Sequence, residues 1–393
     1  MNENDEGAVL REELIRKYFA DGYSYFDIIA TLNSRHSIQI SLRQLKRLLK
    51  SYGLFRRKLK TPINTLLEVI KEELKGSSSC FGYRYMHQLL IRKGYVTDRE
   101  SVRLVLKALN PEAVLLRQNH RLQRRVYHCP GPNWSWHIDG YDKLKPFGFC
   151  IHGCIDGFSR KILWMRVSLS NNDPAIVASY YLETLALLNI VPRCIRADRG
   201  SENVNIGGIQ RYLRRNHEDS QSRINSFRYG TSTANQRIES WWSQLRKTKM
   251  DWWINYFKDL RHRNILDTSL SIHLQAIRFC YIGVIQKELD NFMDIWNNHR
   301  IRKVQNSECP GGKPNVLFHT PDMHGGRQGG LPIREEEIVL ATEFVRSPPL
   351  FGCSDEFVQN AFTIINSNGL TYPANVAEAE SLFTRILNEL GEQ

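Results

Sequence analysis

The chain has 393 residues, 41% hydrophobic and 24% charged, a balance that suits two to three globular domains and excludes wholesale disorder or a collagen-like repeat. No run approaches the ~18 uninterrupted apolar residues of a membrane span. The start, Met1-Asn2-Glu3-Asn4-Asp5-Glu6, is acidic rather than secretory, and eight scattered cysteines speak against a disulfide scaffold. Charge is uneven: from Arg334 onward three basic residues face ten acidic ones, which leaves 51 basic against 31 acidic in residues 1–333. A field of that sign favours a polyanion, nucleic acid first among them.

Residues 1–60 read as a first module. Ile15, Tyr18 and Phe19 suggest one helix, Tyr25 to Leu32 a second and Leu42 to Leu49 a third, with Gly22 and Asn33 to Gln39 as punctuation and Ser41 as N-cap. Leu42, Leu45, Leu48 and Leu49 would face a core while Arg43, Lys46, Arg47 and Lys50 point away. Arg43 to Lys60 holds eight positive residues and no negative one. That pattern fits a helix-turn-helix whose last helix enters a DNA groove; it also describes an amphipathic helix with a solvated basic face. Residues 61–128 read as a second helical module ending in a basic connector, Arg117 to Arg125, suited to run along phosphates.

From about Pro130 the helical period gives way to a strand period. Trp134 to Asp139, Phe147 to Ile155 and Lys161 to Val167 are strand candidates, with the turn signal Asp156-Gly157 between the last two. Asp173-Pro174 opens a helix to about Leu188. Arg193 to Ala197 reads as a fourth strand, Ile206 to Arg215 as a short helix and Phe227-Arg228-Tyr229 as a fifth strand. Ala234 to Lys258 and His273 to Asn297 read as long helices. A meander followed by helix–strand alternation describes an α/β fold, a mixed five-stranded sheet flanked by helices.

Three acids fall where such a sheet would gather them: Asp139 on the first strand, Asp198 just past the fourth and Glu239 near the start of a long helix. Two Mg²⁺-class ions need several carboxylate oxygens, with water and substrate phosphate completing the shell. Spacing alone is weak support, because 41 acidic residues offer many triples. The local contexts are stronger. Trp136-His137-Ile138-Asp139-Gly140, Ala197-Asp198-Arg199-Gly200-Ser201-Glu202-Asn203 and Asn235-Gln236-Arg237-Ile238-Glu239-Ser240-Trp241-Trp242 resemble the three signature boxes of the DDE integrase and transposase family. That family spans retroviral integrases and integrase-like transposases of eukaryotic mobile elements.

The resemblance covers roughly Pro130 to Arg302. It implies a ribonuclease-H-like catalytic core over 129–302, with Asp139, Asp198 and Glu239 as catalytic and metal-binding triad for two Mg²⁺ or Mn²⁺ ions. Ile155-Asp156-Gly157-Phe158-Ser159-Arg160 and Trp296-Asn297-Asn298-His299-Arg300 with Gly312-Lys313-Pro314 are similar to further family landmarks. The zinc-binding His/Cys domain of retroviral integrases is absent, so end recognition would rest on the helix-turn-helix modules. A slightly long second gap reads as a loop insertion near Asn216 to Ser226.

Around the triad, His137 shares a strand face with Asp139, as a structural histidine or an auxiliary to the metal site. Asn235, Trp242, Ser243 and Arg246 share the face of Glu239 on a helix, so Arg246 and Lys247 are expected to hold DNA phosphates and Asn235 to assist. Glu202 reads as a first-turn acid or a spare ligand. Trp241, Trp242, Trp252 and Trp253 read mainly as packing residues, and Cys150, His152 and Cys154 as a buried strand face rather than a zinc site.

The expectation is a DDE-type polynucleotidyl transferase that cleaves DNA 3′ ends and joins them to target DNA. Its partners would be element ends, a target duplex and further copies of itself, without a membrane. Arg56-Arg57-Lys58-Leu59-Lys60 would suit nuclear import in a eukaryote. Residues 303–393 form a C-terminal extension, acidic from about 334. Two alternatives stand: a domesticated DNA-binding protein that keeps the core without transposing, and a plain ribonuclease-H-type nuclease.

Overall fold

The computed structural model describes residues 3–55, 60–76, 78, 81–109, 127–230, 235–303 and 309–390. Arg56-Arg57-Lys58 and the connector Arg117 to Arg125 lie outside the described residues. Two compact units emerge, one of residues 1–132 with 295–328, the other of residues 133–294 with 329–393.

The first unit is helical. Helices α1 (Glu3–Ala20), α2 (Tyr25–His36) and α3 (Leu42–Ser51) close on Ile15, Tyr18, Ile28, Leu32, Leu45 and Leu49, all buried. Capping boxes start two of them: Ser24 with Asp27 on α2 and Ser41 with Gln44 on α3, each worth about 1 kcal/mol. Ser37, in the left-handed region at φ 55°, ends α2 and leaves a short link to α3, which is helix-turn-helix spacing. Arg43, Lys46, Arg47 and Lys50 are exposed on α3, as the periodicity predicts. Helices α4 (Ile63–Leu74), α5 (Tyr83–Arg92) and α6 (Arg99–Leu109) follow, burying Leu66, Ile70, Met86, Leu90, Val102 and Leu106. Val316, from a short helix at Pro314–His319, completes the first cluster, and the Tyr23 hydroxyl donates to Asn298 Oδ1 at 3.1 Å.

The second unit is built on a five-stranded sheet, β1 (Trp136–Tyr141), β2 (Cys150–Asp156), β3 (Ile162–Ser168), β5 (Ile195–Ala197) and β6 (Phe227–Tyr229), in the order β3-β2-β1-β5-β6. β1, β2 and β3 form an antiparallel meander, while β5 and β6 run parallel to β1. A helix, α7 (Pro174–Leu188), and the short β4 (Ile190–Val191) carry the chain from β3 to β5, and α8 (Val204–Leu213) leads on toward β6. Asp173 caps α7 and accepts from the amides of Ala175 and Ile176.

Strand alternation decides the two faces of β1. Trp136 and Ile138 join Cys154, Trp164 and the buried sides of α7 and α8 in one core. His137, Asp139 and Tyr141 therefore face the other way. The start of β1 is pinned from both neighbours. The Asn133 amide donates to Asp156 Oδ1 at 2.7 Å, the Trp136 amide to Cys194 O at 2.9 Å and the Arg193 amide to Asn133 O at 2.9 Å. Asp156 also accepts from Phe158 and Ser159, closing the turn that the Asp-Gly pair signals.

Some expected element bounds move. β1 begins at Trp136, because Asn133 turns the chain at φ 62°. Phe147 belongs to a tight 3₁₀ turn that Gly148 ends at φ 89°, so β2 starts only at Cys150. The expected helix Ala234 to Lys258 consists of α9 (Gln236–Leu245), a π-helical segment Arg246–Met250 and α10 (Asp251–His262). The segment 216–226 is a compact turn anchored by Arg214, whose buried guanidinium donates to Asp219 at 2.5 Å.

Helix α11 (Ser271–Asn298) is tied to the edge strand β3, where Gln286 accepts from the Val167 amide and donates to Met165 O. Lys249, turned inward by the π segment, and the Trp253 indole both reach Glu288 of α11, at 3.4 and 3.1 Å. The acidic stretch after Arg334 is folded onto this unit. β7 (Leu331–Pro332) pairs with β4, and α13 (Glu335–Ala341) packs on α7, with Pro314–His319 counted as α12. In α14 (Asp355–Ser367) and α15 (Val376–Leu390), Glu380 accepts from the Tyr256 hydroxyl at 2.8 Å and from Arg263 at 3.0 Å. Among the described residues no helix is long and apolar enough to cross a membrane.

Cys150, His152 and Cys154 are buried, and the thiols are pushed up by burial. His152 accepts from the Trp164 indole at 3.1 Å, and burial holds its pKa down at about 3. Its folded pKa lies below the unfolded value near 6.5, so its contribution is complete above that pH and is lost as pH falls toward 3. Urea unfolding between pH 6 and pH 4 should show stability falling by about 1.4 kcal/mol per pH unit from this group. His152→Asn should flatten that slope; an unchanged slope would show that the residue is not buried as a neutral ring.

Candidate active site

The pairing of β1 with β5 sets the first two carboxylates. Trp136 lies beside Ile195 and His137 beside Arg196, an offset of 59 positions. Asp198 follows Asp139 by the same interval, so Asp139 lies within β1 while Asp198 stands one position past the carboxyl end of the neighbouring parallel strand β5. In open α/β sheets that end is where ligands bind. Asp139 lies opposite Gly153 on its other flank.

The third carboxylate arrives on α9, whose inner face is tied to β1 on both sides of Glu239. Four residues earlier, Asn235 accepts from His137 Nδ1 at 2.8 Å and donates through Nδ2 to Ile138 O at 2.8 Å. Three residues later, the Trp242 indole donates to Asp139 Oδ2 at 2.9 Å. Residues at these offsets share one helix face, so Glu239 is carried toward the two aspartates by bonds on either side of it.

Electrostatics report the same gathering. Burial pushes the Asp139 carboxyl up to about 7, opposed by the Trp242 bond and reinforced by the charges of Asp198 and Glu239. Glu239, exposed on α9, is raised by burial of its carboxyl and by Asp198. Asp198 thus disfavours the charge of both Asp139 and Glu239, the relation expected of carboxylates near a shared cation. The coupling acts beyond ligand-sharing distance: among the described residues no three His, Cys, Asp or Glu side chains stand as a ready metal group. Mg²⁺ does not require a full protein cage, since water and phosphate oxygens complete its octahedron.

The neighbours sort clearly. His137 is fully buried with its pKa depressed to about 3, chiefly by burial; it is a neutral donor to Asn235, positioned as part of the β1–α9 tie. Glu202 lies in a 3₁₀ turn ahead of α8 and is raised by burial and then by Asp198. Buried Asn203 donates to Glu202 Oε1 at 2.8 Å and to Asp198 Oδ1 at 3.4 Å. Arg246 and Lys247 are exposed at the start of the π segment, Arg246 donating to Asp251 at 3.1 Å, and the Arg246 charge reaches the Tyr141 hydroxyl beside Asp139. Arg43, Lys46, Arg47 and Lys50 belong to the helical unit and are no part of this cluster.

Two contributors escape a reading of the sequence for chemistry. Trp242 falls among residues assigned to packing, and packing is what Trp241 and Trp253 do: both are buried, Trp241 stacked on Phe292 and Trp253 against Phe257. Only the position of Trp242 three residues past Glu239 signals its different role. Asn203 carried no signal beyond its place in the second box.

Residues 126–321 match the family model described as an integrase core domain. No curated protein matches the chain. The match spans the strands, the helix α9 and all three acids, and the sheet order with its flanking helices is that of a ribonuclease-H-like integrase core. By this match and this architecture, residues 126–321 form a domain of the integrase catalytic core family.

Proposed function

We propose that the chain is an integrase-like transposase that cleaves DNA 3′ ends and joins them to a target duplex, with Asp139, Asp198 and Glu239 as its metal-binding triad. The observation that carries this reading is the electrostatic coupling of Asp139 in β1, Asp198 just past β5 and Glu239 on α9 within a matched integrase core. An all-carboxylate donor set, in which Asp198 raises both Asp139 and Glu239, is suited to hard divalent ions such as Mg²⁺ or Mn²⁺. The chemistry a bound pair supplies is Lewis-acid activation of the attacking oxygen and stabilisation of the leaving one.

The residues of the chain supply the rest. Asn235 and His137 keep α9 against β1, so Glu239 stays within reach of the two aspartates. Arg246 and Lys247, exposed one to two turns beyond Glu239, are suited to grip phosphates flanking the scissile bond. In the first step water attacks phosphorus and the 3′ oxygen departs with a proton; in the second that 3′-hydroxyl attacks a target phosphodiester, releasing a target 3′ oxygen. Joining two ends requires more than one copy of the chain. The domains supporting this are a helix-turn-helix in residues 1–60, a second helical module in 61–128, a core in 129–302 and an extension in 303–393. Work on chromosomal DNA would place the protein in the nucleus of a eukaryote.

The test is joining of oligonucleotide ends from the flanks of its own gene, in Mg²⁺ or Mn²⁺. Asp198→Asn and Glu239→Gln should each lower joining by at least ~10³-fold while duplex affinity changes less than about threefold. Variants that join like the parent would refute the triad; metal-insensitive binding without joining by the parent would favour the domesticated DNA-binding alternative.

The α3 surface has its own test. Lys46→Ala with Arg47→Ala should weaken end binding and lower the slope of log K against log salt by about 2, one unit for each lost phosphate contact. An unchanged slope would take α3 off the DNA.

A further inference from the structure

Trp242 is held in a way that packing alone does not explain. Its ring is 6% exposed and lies 5.4 Å from the ring of Tyr141. It slides over the sheet at Gly153, the register partner of Asp139, where an added Cβ would stand 2.7 Å from the indole Cη2. A glycine in the middle of a central strand weakens it and marks a close approach. Here the strand gives up a side chain directly beside Asp139, and the indole takes the vacated space.

The Trp242 Nε1–H ends on Asp139 Oδ2 at 2.9 Å. Phenylalanine would fill most of the same volume, yet only an indole brings a donor to this place. An N–H bound to one carboxylate oxygen fixes the rotation of the group and leaves Oδ1 clear of the indole. The donor also sits on the helix that carries Glu239, three residues away, so one bond links the orientation of the first acid to the position of the third.

We infer that Trp242 is a positioning residue of the metal centre: its indole N–H orients the Asp139 carboxylate for a divalent cation, and Gly153 is the space that admits it. This rests on the triad reading above. Partners that hydrogen-bond a ligand from outside its coordination shell fix its direction, and their loss costs about 10–100-fold in metal affinity.

The experiment is calorimetric titration of Mn²⁺ into the full chain without DNA, comparing the parent with Trp242→Phe, Gly153→Ala and Asp198→Asn, with thermal unfolding recorded for each. Trp242→Phe keeps the ring packing and should weaken Mn²⁺ binding by at least ~10-fold with little change in Tm. Gly153→Ala keeps the indole but displaces it, and should weaken binding similarly; it decides the matter if the phenylalanine variant does not fold. Binding within twofold of the parent in both, with Asp198→Asn defective, would overturn the role of Trp242 and leave the triad standing. A parent that binds no Mn²⁺ would sink the triad reading, and the positioning role with it.

Discussion

The register between β1 and β5 is the constraint on which the site depends. A parallel pair offset by 59 positions brings two distant aspartates to neighbouring strands, and a slip by one residue would turn Asp139 into the apolar core beside α7. The protein secures that register at the entrance of β1. Buried Asp156 holds the Asn133 amide, Asn133 in turn holds the Trp136 indole and the Arg193 amide, and the Trp136 amide reaches Cys194 O. One short turn is thereby fastened to β2 and to the entry of β5 together. Each bond of this kind is worth only about 1 kcal/mol net, yet leaving any of these buried groups unpaired would cost more.

Bringing like charges together opposes folding, and the surrounding structure has to outweigh it. Burial raises the carboxyls of Asp139, Glu202 and Glu239, and the like charge of neighbouring acids adds to it. The counterweight is aromatic. α9 buries Trp241 and Trp242, and α10 buries Trp253 and Phe257 against Tyr281 of α11. The π segment between them has a geometric purpose. One extra residue in the turn swings Lys249 inward onto Glu288 of α11. Such segments recur where a helix must serve two neighbours near a functional group.

The two faces of the sheet carry different sets of charged residues. α13, with Glu335, Glu336 and Glu337 in its first turn, packs on α7, on the face of the sheet that Asp139 does not occupy. Glu337 pairs with Arg215 there, and Arg346 with Asp173. Exposed Arg246 and Lys247 instead follow Glu239 on the helix that lies over β1.

Periodicity and turn chemistry made much of this readable from the amino acids alone. Strand alternation around Trp136 to Asp139, the Asp-Gly turn after β2, the Asp-Pro start of α7 and the leucine spacing of α3 are local effects, carried by side chains a few positions apart. The three boxes likewise implied a fold with which both the sheet order and the family match agree. Folding alone decided what depends on contacts between distant segments. The bonds of Asn235 to β1 and of Trp242 to Asp139 span 97 to 103 positions, and no local pattern distinguishes them from ordinary packing. Composition shows the charge of the stretch after Arg334 but not its place, whereas its apolar packing on α7 and the bond of Glu380 with Tyr256 exist only between folded surfaces.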